Sequence, residues 1–228
     1  MDHSLSTSHN TSFRSVIFDL DGTLIDSQES ILNAIRIALN ESGLEAKIPV
    51  TKELIGPPLI DTLSKITAVK DQFILNAVAH KFKLHYDAVG YRGSVAYPGI
   101  HNLLESLHSQ NYVLYVATNK RLIPTKKIVD HLSWGSLFST IYSIDSNAEK
   151  PFKSKAEMIA ALLGDESIDL KSAVYVGDRV EDYEAAKFNG LPCILVDWGY
   201  GEISSKSNDD RLSVGSPIKL LNTLQRLL

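Results

Sequence analysis

The sequence predicts an α/β protein: a doubly wound parallel sheet, interrupted after its first strand by an all-helical insert. Three observations predict it. Short apolar, β-branched runs recur at 15–19, 112–118, 141–144, 173–177 and 193–196, and segments of helical spacing separate the later ones. From Ser27 to about Tyr97 the strand pattern disappears and three helical patches replace it. Continuous apolar strands alternating with amphipathic helices are what a parallel sheet covered on both faces requires. At 228 residues the chain exceeds one average domain and falls short of two, which suits a core with a smaller insertion.

Taken in order, residues 1–12, MDHSLSTSHNTS, read as a flexible tail without the apolar stretch of a secretory signal or the arginines of a transit peptide. The core occupies 13–27 and 96–228, with the run SVIFD as its first strand. The insert, 28–95, carries its apolar spacing on Ile31, Ile35, Ala38 and Leu39, then Leu59, Leu63 and Ile66, then Phe73, Ala77, Val78 and Phe82. Asp26, three residues before Glu29, is expected to cap the first of these helices, and the GPP at 56–58 must break the chain between helices. The YPG at 97–99 marks the return to the core.

Core helices are then expected on Ile100, Leu103, Leu104 and Leu107, and on Ile128, Val129 and Leu132 with Pro124 in the first turn. Two more follow, on Met158, Ile159, Leu162 and Leu163, and on Tyr183, Ala186 and Phe188 before Gly190 and Pro192. A last helix, with Ile218, Leu221, Leu224 and Leu228, is expected to cover an edge of the sheet.

Composition narrows the partners. A net charge of −4 with no dense Lys/Arg stripe argues against nucleic acid and against anionic membrane surfaces. No apolar run approaches the roughly 20 residues of a membrane helix. The single cysteine, Cys193, lies in the apolar run PCILV and reads as a small buried hydrophobe, which suits the cytoplasm. The seven histidines are scattered and offer no zinc or iron spacing, so they read as surface or packing residues.

Chemistry gathers where strands end. VIFDLDGTLIDS sets Asp19 and Asp21 directly after the first apolar run, Thr118 and Asn119 close the second, and GDRVED brings Asp178 and Asp182 after a later one. Ligands of open parallel sheets bind outside the carboxyl ends of the strands, so these clusters share one edge if the strands are parallel. Asp19, Asp21 and Asp178 brought together would repel one another unless a cation joined them, and an oxygen-only ligand set favours Mg²⁺.

DLDGTLIDS resembles the first motif of the haloacid dehalogenase-like hydrolases, and VATNK, the lysines of EKPFKSKAEMI and VGDRVED resemble the other three, in order. The helical insert, with YPGI, ATNK and WGYG, resembles the phosphoglycolate phosphatase-like subgroup and its cap. The resemblance implies a Rossmann-like core beneath a helical cap, and a Mg²⁺-dependent phosphatase acting on a small phosphorylated metabolite; monomer and homodimer both stay open. It implies Asp19 as nucleophile, Asp21 as acid and then base, and Mg²⁺ held by Asp19, Asp178 and the backbone carbonyl of Asp21.

By the same resemblance Thr118 and Asn119 supply donors to the phosphoryl oxygens, and Asp182 orients water or the site lysine. Gly22 lets the chain turn and Thr23 braces the loop. Two lysines compete for the site: Lys150 sits in the family's KP setting, whereas the spacing of Lys155 to Asp178 fits another subset, and Lys155 is preferred. Lys120 and Arg121 either contact a substrate anion or are solvated. Arg179 either faces the cap or pairs with Glu181, and Tyr86, Tyr91 and Arg92 are candidates for the cap's underside. A sugar phosphomutase of the same fold and a non-enzymatic phospho-receiver module are the alternative functions.

Overall fold

The computed structural model of the protein describes residues 14–147, 149–201 and 211–228; the expected tail at 1–12 lies outside them. Strand β1 (Arg14–Phe18) leads through a tight turn to the two-residue strand β2 (Ile25–Asp26). Three helices follow, α1 (Gln28–Glu41), α2 (Leu59–Thr67) and α3 (Gln72–Ala88). Strand β3 (Val95–Ala96) then runs back antiparallel to β2, pairing Ile25 with Ala96 and Asp26 with Val95. This two-pair ribbon, which no hydrophobic run announces, joins the insert to the rest of the molecule.

The remaining elements alternate: α4 (Ile100–Ser109), β4 (Tyr112–Thr118), α5 (Leu122–His131), β5 (Phe138–Ser143), α6 (Lys155–Asp165), β6 (Ala173–Gly177), α7 (Val180–Phe188), β7 (Cys193–Val196), β8 (Leu212–Val214) and α8 (Pro217–Leu227). Six strands form one sheet in the order β5-β4-β1-β6-β7-β8, every neighbouring pair parallel. β4, β6 and β7 coincide with their apolar runs. β5 starts three residues earlier than the run at 141–144 and is only partly buried, because it is an edge strand. β8, the other edge, has too little apolar character to be read as a strand.

Side chains alternate across the sheet. Val16 and Phe18 pack with Ile100, Leu104, Ile128 and Trp134 on one face, while Ile17 packs with Tyr115, Met158, Ile159 and Ala186 on the other. The insert buries a core of its own, in which Ile35 and Leu39 of α1 meet Leu63 and Ile66 of α2 and Leu75, Val78 and Phe82 of α3. The fold is therefore the expected parallel α/β sandwich with a helical insert.

Several faces differ from their sequence expectation. In α3 the buried stripe is Leu75, Val78, Ala79, Phe82 and Tyr86; Phe73 is 84% exposed and Ala77 also faces outward. In α7 the buried residues are Asp182, Ala185 and Ala186, with Phe188 81% exposed, because the helix turns an acidic residue inward toward the strand ends. α8 packs on the edge strand β8, as expected, and on α4, burying Leu220 and Leu224 while leaving Ile218 exposed. Ser27 holds the cap position of α1 without a side-chain cap bond, and the Asp26 carboxylate one residue earlier accepts from the first helical N–H, Gln28, at 2.9 Å and from the Tyr200 hydroxyl at 3.0 Å.

Candidate active site

The strand order decides which loops meet. β4, β1 and β6 are adjacent and parallel, with Phe18 in register with both Val116 and Val176, so Asp19, Thr118 and Asp178 emerge side by side at one edge. Asp19 is anchored there by its own N–H, which donates to the Val176 carbonyl at 2.9 Å. The sheet winds in opposite directions on the two sides of β1, and such a reversal opens a crevice at the carboxyl ends.

Asp19, Asp178 and Asp182 are all buried, and each offers a carboxylate oxygen within 4.8 Å of the others. Lys155, at the start of α6, enters this group: its ammonium lies 3.1 Å from Asp19 Oδ1 and 2.5 Å from Asp182 Oδ1. The lysine pairs with Asp19 by charge, but at an angle that leaves Oδ1 without a well-formed hydrogen bond. Lys150 is exposed on the preceding loop, its backbone N–H bonded to Asn147. Of the two candidate lysines, only Lys155 reaches the carboxylates.

The charges do not balance. Burial pushes the Asp19 carboxyl up to about 7 despite the opposing pull of Lys155, and the neighbouring Asp182, Asp178 and Asp21 push the same way. Burial, then Asp182, raises Asp178 to about 6, against the Tyr200 N–H, Arg179 and Lys155. For Lys155 burial works against the charge, but Asp182 and Asp19 outweigh it and hold the ammonium above the ordinary lysine range.

This donor set fits a hard divalent cation. Three buried carboxylates face one cationic side chain, and Asp19 Oδ1 is a buried acceptor without a well-formed hydrogen bond. Asp182 is the least available of the three: Oδ1 takes Lys155, and Oδ2 takes the backbone N–H groups of Asp178 and Arg179 at 3.1 and 3.0 Å. The less engaged oxygens belong to Asp19 and to Asp178 Oδ1, which has only a 3.5 Å contact from Thr23.

Asp21 stands apart from that cluster. Ser27 Oγ donates to its Oδ1 at 2.5 Å, and Lys120 Nζ reaches Oδ1 at 3.0 Å and Oδ2 at 3.1 Å. Lys120 is not solvated; its side chain is 7% exposed. Burial disfavours its charge, yet Asp21, with Tyr86, raises it above the ordinary range. Thr118 is buried, its hydroxyl accepting from Lys120 N–H at 3.2 Å, whereas Asn119 is exposed.

The loop geometry explains several small residues. Gly22 has φ +85°, and a β-carbon there would overlap the Asp178 carboxylate, so glycine meets both a conformational and a spatial demand. Thr23 is fully buried, with its hydroxyl 3.5 Å from Asp178 Oδ1, a long contact, and its carbonyl accepting from Trp198 Nε1 at 3.0 Å. The WGYG segment after β7 closes over Asp178: the N–H groups of Tyr200 and Gly201 donate to Oδ2 at 2.7 and 3.2 Å. A β-carbon on Gly199 would run into Asp178 and the Gly22 carbonyl.

Neither composition nor hydrophobic spacing marks Ser27 or the WGYG loop for a role in the site, and neither distinguishes a solvated Lys120 from a buried one. A Gly-x-Gly pair directly after a buried strand was the available signal, since it marks close backbone approach. Arg179 faces the cap, donating to the Ile55 carbonyl at 2.9 Å. Tyr86 meets Lys120, while Tyr91 packs between the two cores and Arg92 lies exposed over its ring.

Residues 16–196 match a family model described as haloacid dehalogenase-like hydrolase. A phosphoglycolate phosphatase of Aquifex aeolicus is 37% identical over 92% of this chain and 97% of its own length. A 5′-nucleotidase of Pseudomonas aeruginosa is 30% identical over 83% and 85%. The crystal structure of a predicted phosphatase from Clostridium acetobutylicum superposes with a TM-score of 0.81 at 27% identity, covering 94% of this chain and 99% of that one.

Proposed function

Since this chain belongs to the haloacid dehalogenase-like hydrolase family, as a phosphatase, we propose that it hydrolyses a small phosphate monoester through an aspartyl-phosphate on Asp19. The observation that carries the proposal is the meeting of Asp19, Asp178, Asp182 and Lys155 at adjacent strand ends, with Asp21 two residues from Asp19 and held separately.

Each residue has a task. A carboxylate oxygen of Asp19 forms a bond to phosphorus while the bond from phosphorus to the ester oxygen breaks, and Asp21 gives that oxygen a proton. Asp21 then takes a proton from water as the water oxygen bonds to phosphorus and the aspartyl oxygen leaves. Two carboxyl groups are needed because nucleophile and proton carrier act in the same step. Lys155 offsets the negative charge on Asp19 and the incoming phosphoryl oxygens, with Thr118 and Asn119 beside them as donors. Asp182 holds Lys155 in place.

Mg²⁺ would be held by Asp19 and Asp178, with the Asp21 carbonyl. When bound it supplies the positive charge that lets an anionic nucleophile approach a phosphate dianion. The cap covers the site and excludes bulk water. The names of the relatives make phosphoglycolate and nucleoside 5′-monophosphates the first compounds to test.

The test is Asp19→Asn, assayed for phosphate release from p-nitrophenyl phosphate and from those two compounds with Mg²⁺. The expected result is loss of turnover with an unchanged circular dichroism spectrum; wild-type release by the variant overturns the mechanism. Free phosphate over many turnovers, instead of an isomerised sugar or a single stable phosphoryl group per chain, separates a phosphatase from a mutase and from a receiver.

A further inference from the structure

Two consecutive core residues grip two consecutive residues of the cap. The Lys120 ammonium sits 4.8 Å from the centroid of the Tyr86 ring, and Arg121 makes a two-pronged ion pair with Asp87, at 2.8 Å (Nη1 to Oδ2) and 2.6 Å (Nη2 to Oδ1). Lys127 adds a hydrogen bond to the Asp87 carbonyl at 2.6 Å. Three cations thus meet the carboxyl end of α3, where the helix dipole favours positive charge.

These contacts are not equivalent. Arg121 and Lys127 touch the cap, whereas Lys120 touches the cap and Asp21 together. The flexible lysine stem ends against a ring that is itself held: Tyr86 is buried in the cap, stacked on Phe82 at 5.5 Å, with its hydroxyl 3.3 Å from Ser94 Oγ. The lysine is therefore held between a core carboxylate and a rigid cap ring. Among the described residues the only ladder pairing along the two connections is the two-pair ribbon, so the docked position of the cap relies on these side-chain contacts together with Arg179 on the Ile55 carbonyl and Tyr91 between the two cores.

We propose that Lys120 is a positioning residue for Asp21, and that the cap governs it: with Tyr86 seated on the ammonium the acid–base carboxylate is aimed, and with Tyr86 withdrawn it is not. Arg121 and Asp87 are the clasp that keeps the ring seated. This deepens the phosphatase reading and rests on it.

An acid is needed most when the departing oxygen is a poor leaving group. Lys120→Met is therefore expected to lower kcat/KM, which reports the steps up to departure of the leaving group, about tenfold or more on an alkyl phosphate that the wild type turns over, and less than about threefold on p-nitrophenyl phosphate. Lys120→Arg restores part of the loss. Tyr86→Leu gives the same leaving-group-selective loss although it does not touch Asp21, and Tyr86→Phe, which keeps the ring but not the hydroxyl that also acts on Lys120, gives a smaller one. Asp87→Asn, which loosens the clasp without entering the cap core, shows a smaller loss of the same selectivity.

Equal loss of kcat/KM on both substrates in Lys120→Met, or indistinguishable Tyr86→Leu and Tyr86→Phe enzymes, overturns the proposal. Asp21→Asn fixes the scale: its selectivity is the largest that a misplaced acid can produce. Turnover by Asp19→Asn would instead remove the phosphatase mechanism itself, so the two failures are distinct.

Discussion

Lys155 opens α6, Asp19 follows the end of β1, and the ammonium of the first lies 3.1 Å from the carboxylate of the second. The lysine is the cation of a buried cluster that otherwise holds three carboxylates. Its contact with Asp182 is the shorter, so Asp182 sets the lysine's position while Asp19 stays open to chemistry.

Lys155→Met leaves Asp19 and Asp182 buried without their partner. The expected cost is about 3 kcal/mol of folding stability, since removing one member of a buried pair strands the other. Phosphate release is expected to fall by about a hundredfold or more. Lys150→Met, at an exposed position, should change stability by less than about 0.5 kcal/mol and leave activity near wild type. Urea unfolding and a phosphate-release assay on the two variants check both statements.

The metal-free protein should lose stability as pH rises from about 4 to about 7. Burial raises Asp19 to about 7 and Asp178 to about 6 in the folded chain, whereas both titrate near 3.9 once unfolded. In that window the folded state binds more protons than the unfolded state, so the slope of unfolding free energy against pH from these groups is negative. A divalent cation must displace the same protons, so Mg²⁺ should raise the melting temperature more at pH 7.5 than at pH 5.5. Equal increments at both values would count against the carboxylate cluster as the metal site. Asp19→Asn should remove the larger part of the slope.

Glycines with and without a packing duty should behave oppositely. Gly199→Ala drives a methyl group into Asp178 and the Gly22 carbonyl. It should cost about 1–3 kcal/mol, as overpacking does, and weaken Mg²⁺ binding. Gly164, inside α6, has nothing within 4 Å of its β-carbon position, so Gly164→Ala should stabilise the protein by about 0.5–1 kcal/mol. Thermal melts with and without Mg²⁺ distinguish the pair.

Cys193 is buried in β7 between the sheet and α7, and burial raises its thiol well above the ordinary range. A thiol held protonated reacts slowly. Ellman's reagent should therefore label the folded protein far more slowly than the protein in denaturant; comparable rates would place the residue outside the core.

Hydrophobic spacing coincides with burial where an element is covered on its whole inner face and departs from it where it is not. Ile100, Leu103, Leu104 and Leu107 are all buried, because α4 lies flat on the sheet centre. Phe73, Phe188 and Ile218 carry the same spacing signal yet stand exposed, because each lies near the end of an element with nothing packed over it. Hydrophobic spacing tells which residues share a face, not how far the neighbouring layer extends.

By itself the sequence determined the parallel α/β core, the helical insert and the identity of the acidic residues at the strand ends, since apolar runs and the residues that terminate them are local properties of the chain. Only the tertiary structure decided that β4, β1 and β6 are neighbours, that Lys155 and not Lys150 reaches Asp19, and that Lys120 links Asp21 to the cap. Those outcomes depend on strand order and on where separate helices dock. Such long-range geometry leaves no periodicity in the chain, and a lysine's reach of a few ångströms is settled by the backbone that carries it.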